Sequence, residues 1–114
     1  MTSRLALLVI AGCGDDPVLS GVQRDTPVAD LTSADVQQWC EWAIGEQGGF
    51  GHDHHCVDGT TITTDSVARC VDTLADLTCT DTIGKLEDCI VATDGDPCLF
   101  PTEPDCAAYE ACFP

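Results

Sequence analysis

Residues 31–49 read LTSADVQQWCEWAIGEQGG, and this stretch decides the fold. Thr32 followed three residues later by Asp35 is a capping box, in which the hydroxyl and the carboxylate each accept from a backbone N–H at the helix start. Leu31 and Val36 flank the box at the positions of a hydrophobic staple. Val36, Trp39, Cys40, Ala43 and Ile44 then fall at i, i+3, i+4, i+7 and i+8, which is one face of a helix. Gly48-Gly49 ends it.

The same pattern recurs downstream. Thr63 is placed to cap a second helix, with Ile62 and Val67 as its staple and Val67, Cys70, Val71, Leu74 and Leu77 on its inner face. A third helix is expected over Asp81–Ala92, with Ile83, Leu86, Cys89 and Ile90 inward; Gly84 within it costs about 1 kcal/mol relative to Ala. Thr102 is placed to cap a short fourth helix, with Pro104 in its first turn and an apolar side made by Cys106, Tyr109 and Phe113. Val57-Asp58-Gly59-Thr60 suits a small hairpin turn. The fold class predicted is therefore mostly α: a small, disulfide-stapled four-helix domain over residues 31–114, following a signal peptide (1–12) and a flexible tether (13–30).

Nine cysteines in 114 residues is far above ordinary usage. Eight lie in the helical region: Cys40, Cys56, Cys70, Cys79, Cys89, Cys98, Cys106 and Cys112. No two are closer than the five intervening residues of Cys106 and Cys112, so the close pairs of structural zinc sites and the redox C-x-x-C motif are both absent. Disulfides are the expected chemistry. Helix geometry excludes two pairings. Cys106 and Cys112 in one helix are separated by roughly 9 Å along its axis, beyond the ~7 Å limit for bridging. Cys79 and Cys89 are farther apart still.

The ninth cysteine closes the segment MTSRLALLVIAGC, residues 1–13. Arg4 forms a short positive region, Leu5–Ile10 a short apolar one, and Ala11-Gly12 supply small residues before Cys13, the ordered features of an export signal. Ile10-Ala11-Gly12-Cys13 resembles the lipobox of bacterial lipoproteins. That resemblance implies cleavage before Cys13, acylation of Cys13, and attachment to a lipid bilayer through it. With Gly14 rather than Asp next in line, it also implies the outer membrane or cell surface more than the inner membrane. Residues 14–30 hold Pro17, Gly21 and Pro27 without an apolar period and read as a coil spanning roughly 23 Å r.m.s.. The helical segments Val67-Ala68-Arg69-Cys70-Val71, Leu77-Thr78-Cys79 and Leu86-Glu87-Asp88-Cys89 further resemble a group of uncharacterised cysteine-rich bacterial lipoproteins. This second likeness implies fold and location and carries no activity.

Charge narrows the partners. Twenty acidic residues face Arg4, Arg24, Arg69 and Lys85, for a net charge of −16 that becomes −17 once Arg4 leaves with the signal. Nucleic acid is excluded as a partner, because binding it requires cations to displace phosphate counterions. Electrostatic attraction to anionic headgroups is excluded likewise. High charge favours a soluble monomer. No apolar run reaches the length that spans a bilayer.

His52-Asp53-His54-His55 is the one local cluster with a chemical look, and His52, Asp53 and His54 are its candidate metal ligands. An exposed polar loop is the favoured reading of that cluster. No G-x-S-x-G, phosphate loop or H-E-x-x-H occurs. The expectation is a non-enzymatic envelope lipoprotein without a cofactor, serving display, binding of a protein partner, or structure. The alternative is an envelope metal-binding protein using His52–His55.

Overall fold

Thr32 Oγ1 accepts from Asp35 N at 3.1 Å, and Asp35 Oδ2 accepts in return from Thr32 N at 3.4 Å, completing the box that opens α1, Ser33–Glu46. The computed structural model, which describes residues 19–113, buries Val36, Trp39, Cys40, Ala43 and Ile44 on the inner face of α1 as the period requires. Gly48 and Gly49 follow with φ of +97° and +90°, a conformation that ends the helix at little cost only for glycine.

Next comes an antiparallel hairpin, β1 (Asp53–His55) and β2 (Thr61–Thr63), in which Asp53 faces Thr63 and His55 faces Thr61. Its connection spans the expected turn: Cys56 N donates to Thr60 O at 2.8 Å and Gly59 takes φ +92°. The pairing corrects the expected start of the second helix. Thr63 is held in a strand, Ile62 is exposed rather than stapled, and Ser66 is the cap, its hydroxyl accepting from Arg69 N at 3.1 Å ahead of α2, Val67–Ala75.

The third helix, α3, runs Ile83–Ala92 and buries Ile83, Leu86, Cys89 and Ile90. Thr82 stands at its cap position without a side-chain cap bond. Backbone from the N-terminal side of the chain does that work instead. Ile83 N donates to Thr26 O at 2.9 Å and Gly84 N to Arg24 O at 2.8 Å, while Val28 N donates to Asp81 O at 2.9 Å. The N–H groups that a helix start leaves unpaired are thus satisfied. A Cβ on Gly84 would lie 2.7 Å from the Arg24 carbonyl oxygen, so only glycine permits this approach.

Residues 19–30 accordingly depart from the tether expected of them. Ser20, Val22 and Val28 are buried, and Val28–Asp30 forms a 3-10 turn. Glu87 of α3, with no exposed surface, accepts from Ser20 N at 3.0 Å and from Ser20 Oγ at 3.1 Å. Composition hid this because an extended segment whose hydrogen bonds go to a distant helix has no period of its own. Glu87→Ala strands two buried donors, at a cost of about 1–3 kcal/mol. Thermal melts of Glu87→Ala, Ser20→Ala and the double variant are expected to be non-additive, since the two residues share one interaction.

The C-terminal region is also built differently from the expectation. Two 3-10 turns, Pro97–Thr102 and Pro104–Cys106, precede α4, Ala107–Cys112. Thr102 does not cap; its hydroxyl donates to Leu99 O at 3.3 Å, closing the first turn. Glu103 takes the capping role, its carboxylate accepting from Asp105 N at 3.3 Å. Pro101 and Pro104 lack the donors an α-helix would use there, which favours the tighter turns.

The result is mostly helical with one small sheet, stapled by four disulfides. Cys40–Cys70 joins α1 to α2, Cys56–Cys98 joins the hairpin to the Pro97–Thr102 turn, Cys79–Cys112 joins the α2–α3 connection to α4, and Cys89–Cys106 joins α3 to the turn ahead of α4. Neither pairing excluded by helix geometry occurs. The four helices, the 3-10 turns and the segment through Val22 and Val28 contribute to a single core around Trp39, Ile83, Leu86 and Ile90, while the hairpin lies outside it.

Candidate functional site

Three members of the histidine cluster, Asp53, His54 and His55, form β1, where side chains alternate between faces, and His52 directly precedes it. His54 turns inward and is half-buried, while Asp53 and His55 are exposed. Gln47 O lies 2.9 Å from His54 Nε2, and a carbonyl can only accept, so this nitrogen carries the proton. Thr64 Oγ1 donates to the same carbonyl at 3.0 Å, and His54 Nδ1 stands 3.9 Å from Asp96 Oδ1. The His52 ring meets that of His54 edge-on, with centroids 4.7 Å apart. Asp53 instead accepts from Thr63 Oγ1 at 2.6 Å.

Of the three candidate ligands, then, the structure brings His52 and His54 together and commits Asp53 to its cross-strand partner. Cys56 is consumed by its bridge to Cys98. No group of three His, Cys, Asp or Glu placed to hold a metal ion occurs among the described residues. The His54 contacts serve to fasten the hairpin to the end of α1. Cys13, the expected acylation site, lies outside the described residues, as does the whole expected signal.

A second feature, unseen in the sequence, is a groove of about 390 Å³ walled by α1, β2, α2, the Pro97–Thr102 turn and α4. Its walls are chiefly apolar, from Ile44, Leu74, Phe100 and Phe113 among others, with Asp65, Arg69 and Glu110 also on its lining. Phe100, Tyr109 and Phe113 form a ring stack along it, at 4.8 Å and 4.5 Å between successive centroids. Thr63, Thr64, Gln47 and Thr73 on its lining are hydrogen-bonded within the protein, but two other polar groups there are not so matched. Trp39 is 2% exposed, and its Nε1–H is the one buried side-chain polar atom without a hydrogen bond among the described residues. A buried donor left so costs about 1–3 kcal/mol. Arg69 pairs with no carboxylate among the described residues, whereas Arg24 meets Asp88 at 2.7 Å and Lys85 meets Asp81 at 3.5 Å.

Burial, with Glu110 beside it, pushes the Tyr109 phenol up to about 12. The group stays neutral at ordinary pH. Because its folded value is raised above the unfolded value near 10, the stability it contributes is whole below pH ~10 and is lost as pH rises towards ~12. Tyr109 is the only tyrosine in the chain, so phenolate absorbance reports on it alone. Native protein is expected to ionise about two units higher than protein unfolded in guanidinium.

The inner face Cys106, Tyr109 and Phe113 was legible in the sequence, but the groove was not, because its walls converge from separate elements. No protein family, curated protein or solved structure matches this chain. Among the described residues no helix is long and apolar enough to cross a membrane.

Proposed function

We propose that this protein is an exported lipoprotein, fastened to the cell envelope through acylated Cys13, where its stapled domain works as a non-enzymatic binding or display module. The carrying observation is the completeness of cysteine pairing. Four bridges use all eight cysteines from Cys40 to Cys112, which leaves Cys13 as the odd one of nine. Bridges in such number persist in oxidising compartments outside the cytoplasm. An odd cysteine directly after Ile10-Ala11-Gly12 then has a use that needs no second thiol.

The anchor supplies the location. Each buried CH₂ contributes about 0.8 kcal/mol, and stable attachment takes more than one acyl chain, as lipoproteins of the resembled type carry. Gly14 after Cys13 favours the outer membrane or cell surface. The groove supports a binding role for the body, and the acidity argues against nucleic acid as its target.

Mass spectrometry of the protein from native membranes tests the reading. The expected product begins at Cys13, carries acyl mass there, and has no free thiol. Cys13→Ser is expected to move the protein from the membrane to the soluble fraction. A native product that retains Met1, or one whose body thiols are free, overturns the proposal.

A further inference from the structure

We propose that the groove between α1, α2 and α4 is a binding site for an uncharged apolar molecule, aromatic for preference, that presents one carbonyl-type acceptor oxygen. This deepens the binding role proposed above and does not depend on Cys13.

Its volume, about 390 Å³, suits a small ligand, and small-ligand sites are mainly apolar concavities with a few unspent polar groups. Two such groups are present. Trp39 Nε1–H is buried without an acceptor, and Trp39 is part of the groove wall. Tyr109 also lines the groove, and its described contacts are with the rings of Phe100 and Phe113. An indole N–H is donor only, and a phenol held neutral by its surroundings can donate as well. Both therefore call for an oxygen acceptor on the ligand.

The apolar remainder follows from the walls. Ile44, Leu74 and the Phe100–Tyr109–Phe113 stack offer hydrocarbon and ring faces, and aromatic rings associate favourably with rings offset or edge-on to them. The lack of charge follows from the lining. Asp65 and Glu110 outnumber Arg69 there, and the whole chain carries −16, so an anionic ligand meets net repulsion.

Titration of the oxidised chain with acetophenone, ethylbenzene and benzoate separates these requirements, because the three share a ring and differ in acceptor and charge. The chain has two tryptophans, so its indole N–H resonances can be followed individually by NMR. Acetophenone is expected to bind saturably and shift the Trp39 indole N–H. Ethylbenzene is expected to bind about tenfold more weakly, the loss that follows when a donor is left unmatched, and benzoate more weakly than acetophenone. Tyr109→Phe, which keeps the ring, is expected to weaken acetophenone severalfold and leave ethylbenzene unchanged. The proposal is overturned by any of three results: no saturable acetophenone binding in the millimolar range, equal affinity for ethylbenzene, or benzoate as the tightest of the three. A failed titration leaves the acylation of Cys13 untouched, and free Met1 on the native protein leaves the groove untouched.

Discussion

Reduction is expected to unfold this protein outright, abolishing its near-UV circular dichroism and its cooperative melt. The four bridges close loops of 30, 42, 33 and 17 residues. By the loop-entropy relation each contributes about 3–4 kcal/mol, so the set is worth about 12 kcal/mol or more, which is comparable with the whole net stability of an ordinary domain. The core they reinforce is small and is assembled from short helices, none of which is stable alone. Individual bridges are expected to differ for a reason beyond loop length. Cys40 is fully buried beside Trp39, so replacing Cys40 and Cys70 by Ala removes core packing as well as a cross-link. Cys56 and Cys98 are only half-buried at the hairpin. The first double variant should therefore melt below the second, although its loop is the shorter. Equal melting temperatures would show that loop closure alone sets the contribution.

Gly95→Ala is expected to be strongly damaging for so small a change, at about 2–5 kcal/mol. Two effects combine there. Gly95 holds φ +75° as it donates to Ile90 O at 2.9 Å and ends α3. An added Cβ would also run into the Glu46 carbonyl, its carbon 2.7 Å away, at the end of α1. Backbone cannot swing aside as a side chain can, so the α1–α3 contact must open. Gly45→Ala provides the control with opposite sign. Gly45 lies within α1, with nothing within 4 Å of its would-be Cβ, so alanine there is expected to raise stability by up to about 1 kcal/mol. Denaturant melts of the two variants check both; a Gly95→Ala protein as stable as the parent would mean that α1 and α3 do not meet in this way.

What could be read from the sequence was what is local. The capping box at Thr32 and the inner face of α1 depend on residues within two turns of one another, and both are as expected. The second cap was displaced from Thr63 to Ser66 because β2 pairs with β1, ten residues away across a turn, and pairing competes with helix initiation. Thr102 lost its expected role to the prolines on either side of it, which hold the chain in tighter turns. Cysteine reading went only as far as exclusion: helix geometry ruled out two pairings, and the remainder are set by tertiary approach. The histidine cluster looked chemical in one dimension, but strand alternation sends Asp53 and His54 to opposite faces. Glycine 84, a blemish in a helix when viewed alone, is what lets a distant strand of backbone lie across the start of α3.

If Cys13 is acylated as proposed, the Ser20–Glu87 clasp changes the mechanics of the anchored chain. With residues 19–30 packed on α3, only five residues lie between Cys13 and Leu19, and six peptide steps reach at most about 20 Å. A loose leash would let the acidic globule drift away and turn in any direction. On that proposal, a mooring this short would keep it near the headgroups, with the α3 side close to the fixed end and a restricted choice of orientations. Loosening the clasp lengthens the line by up to twelve residues without cutting it. In an anchored chain Glu87 would set standoff height as well as fold stability, and a fluorophore on the hairpin is expected to sit farther from the bilayer surface in Glu87→Ala than in the parent.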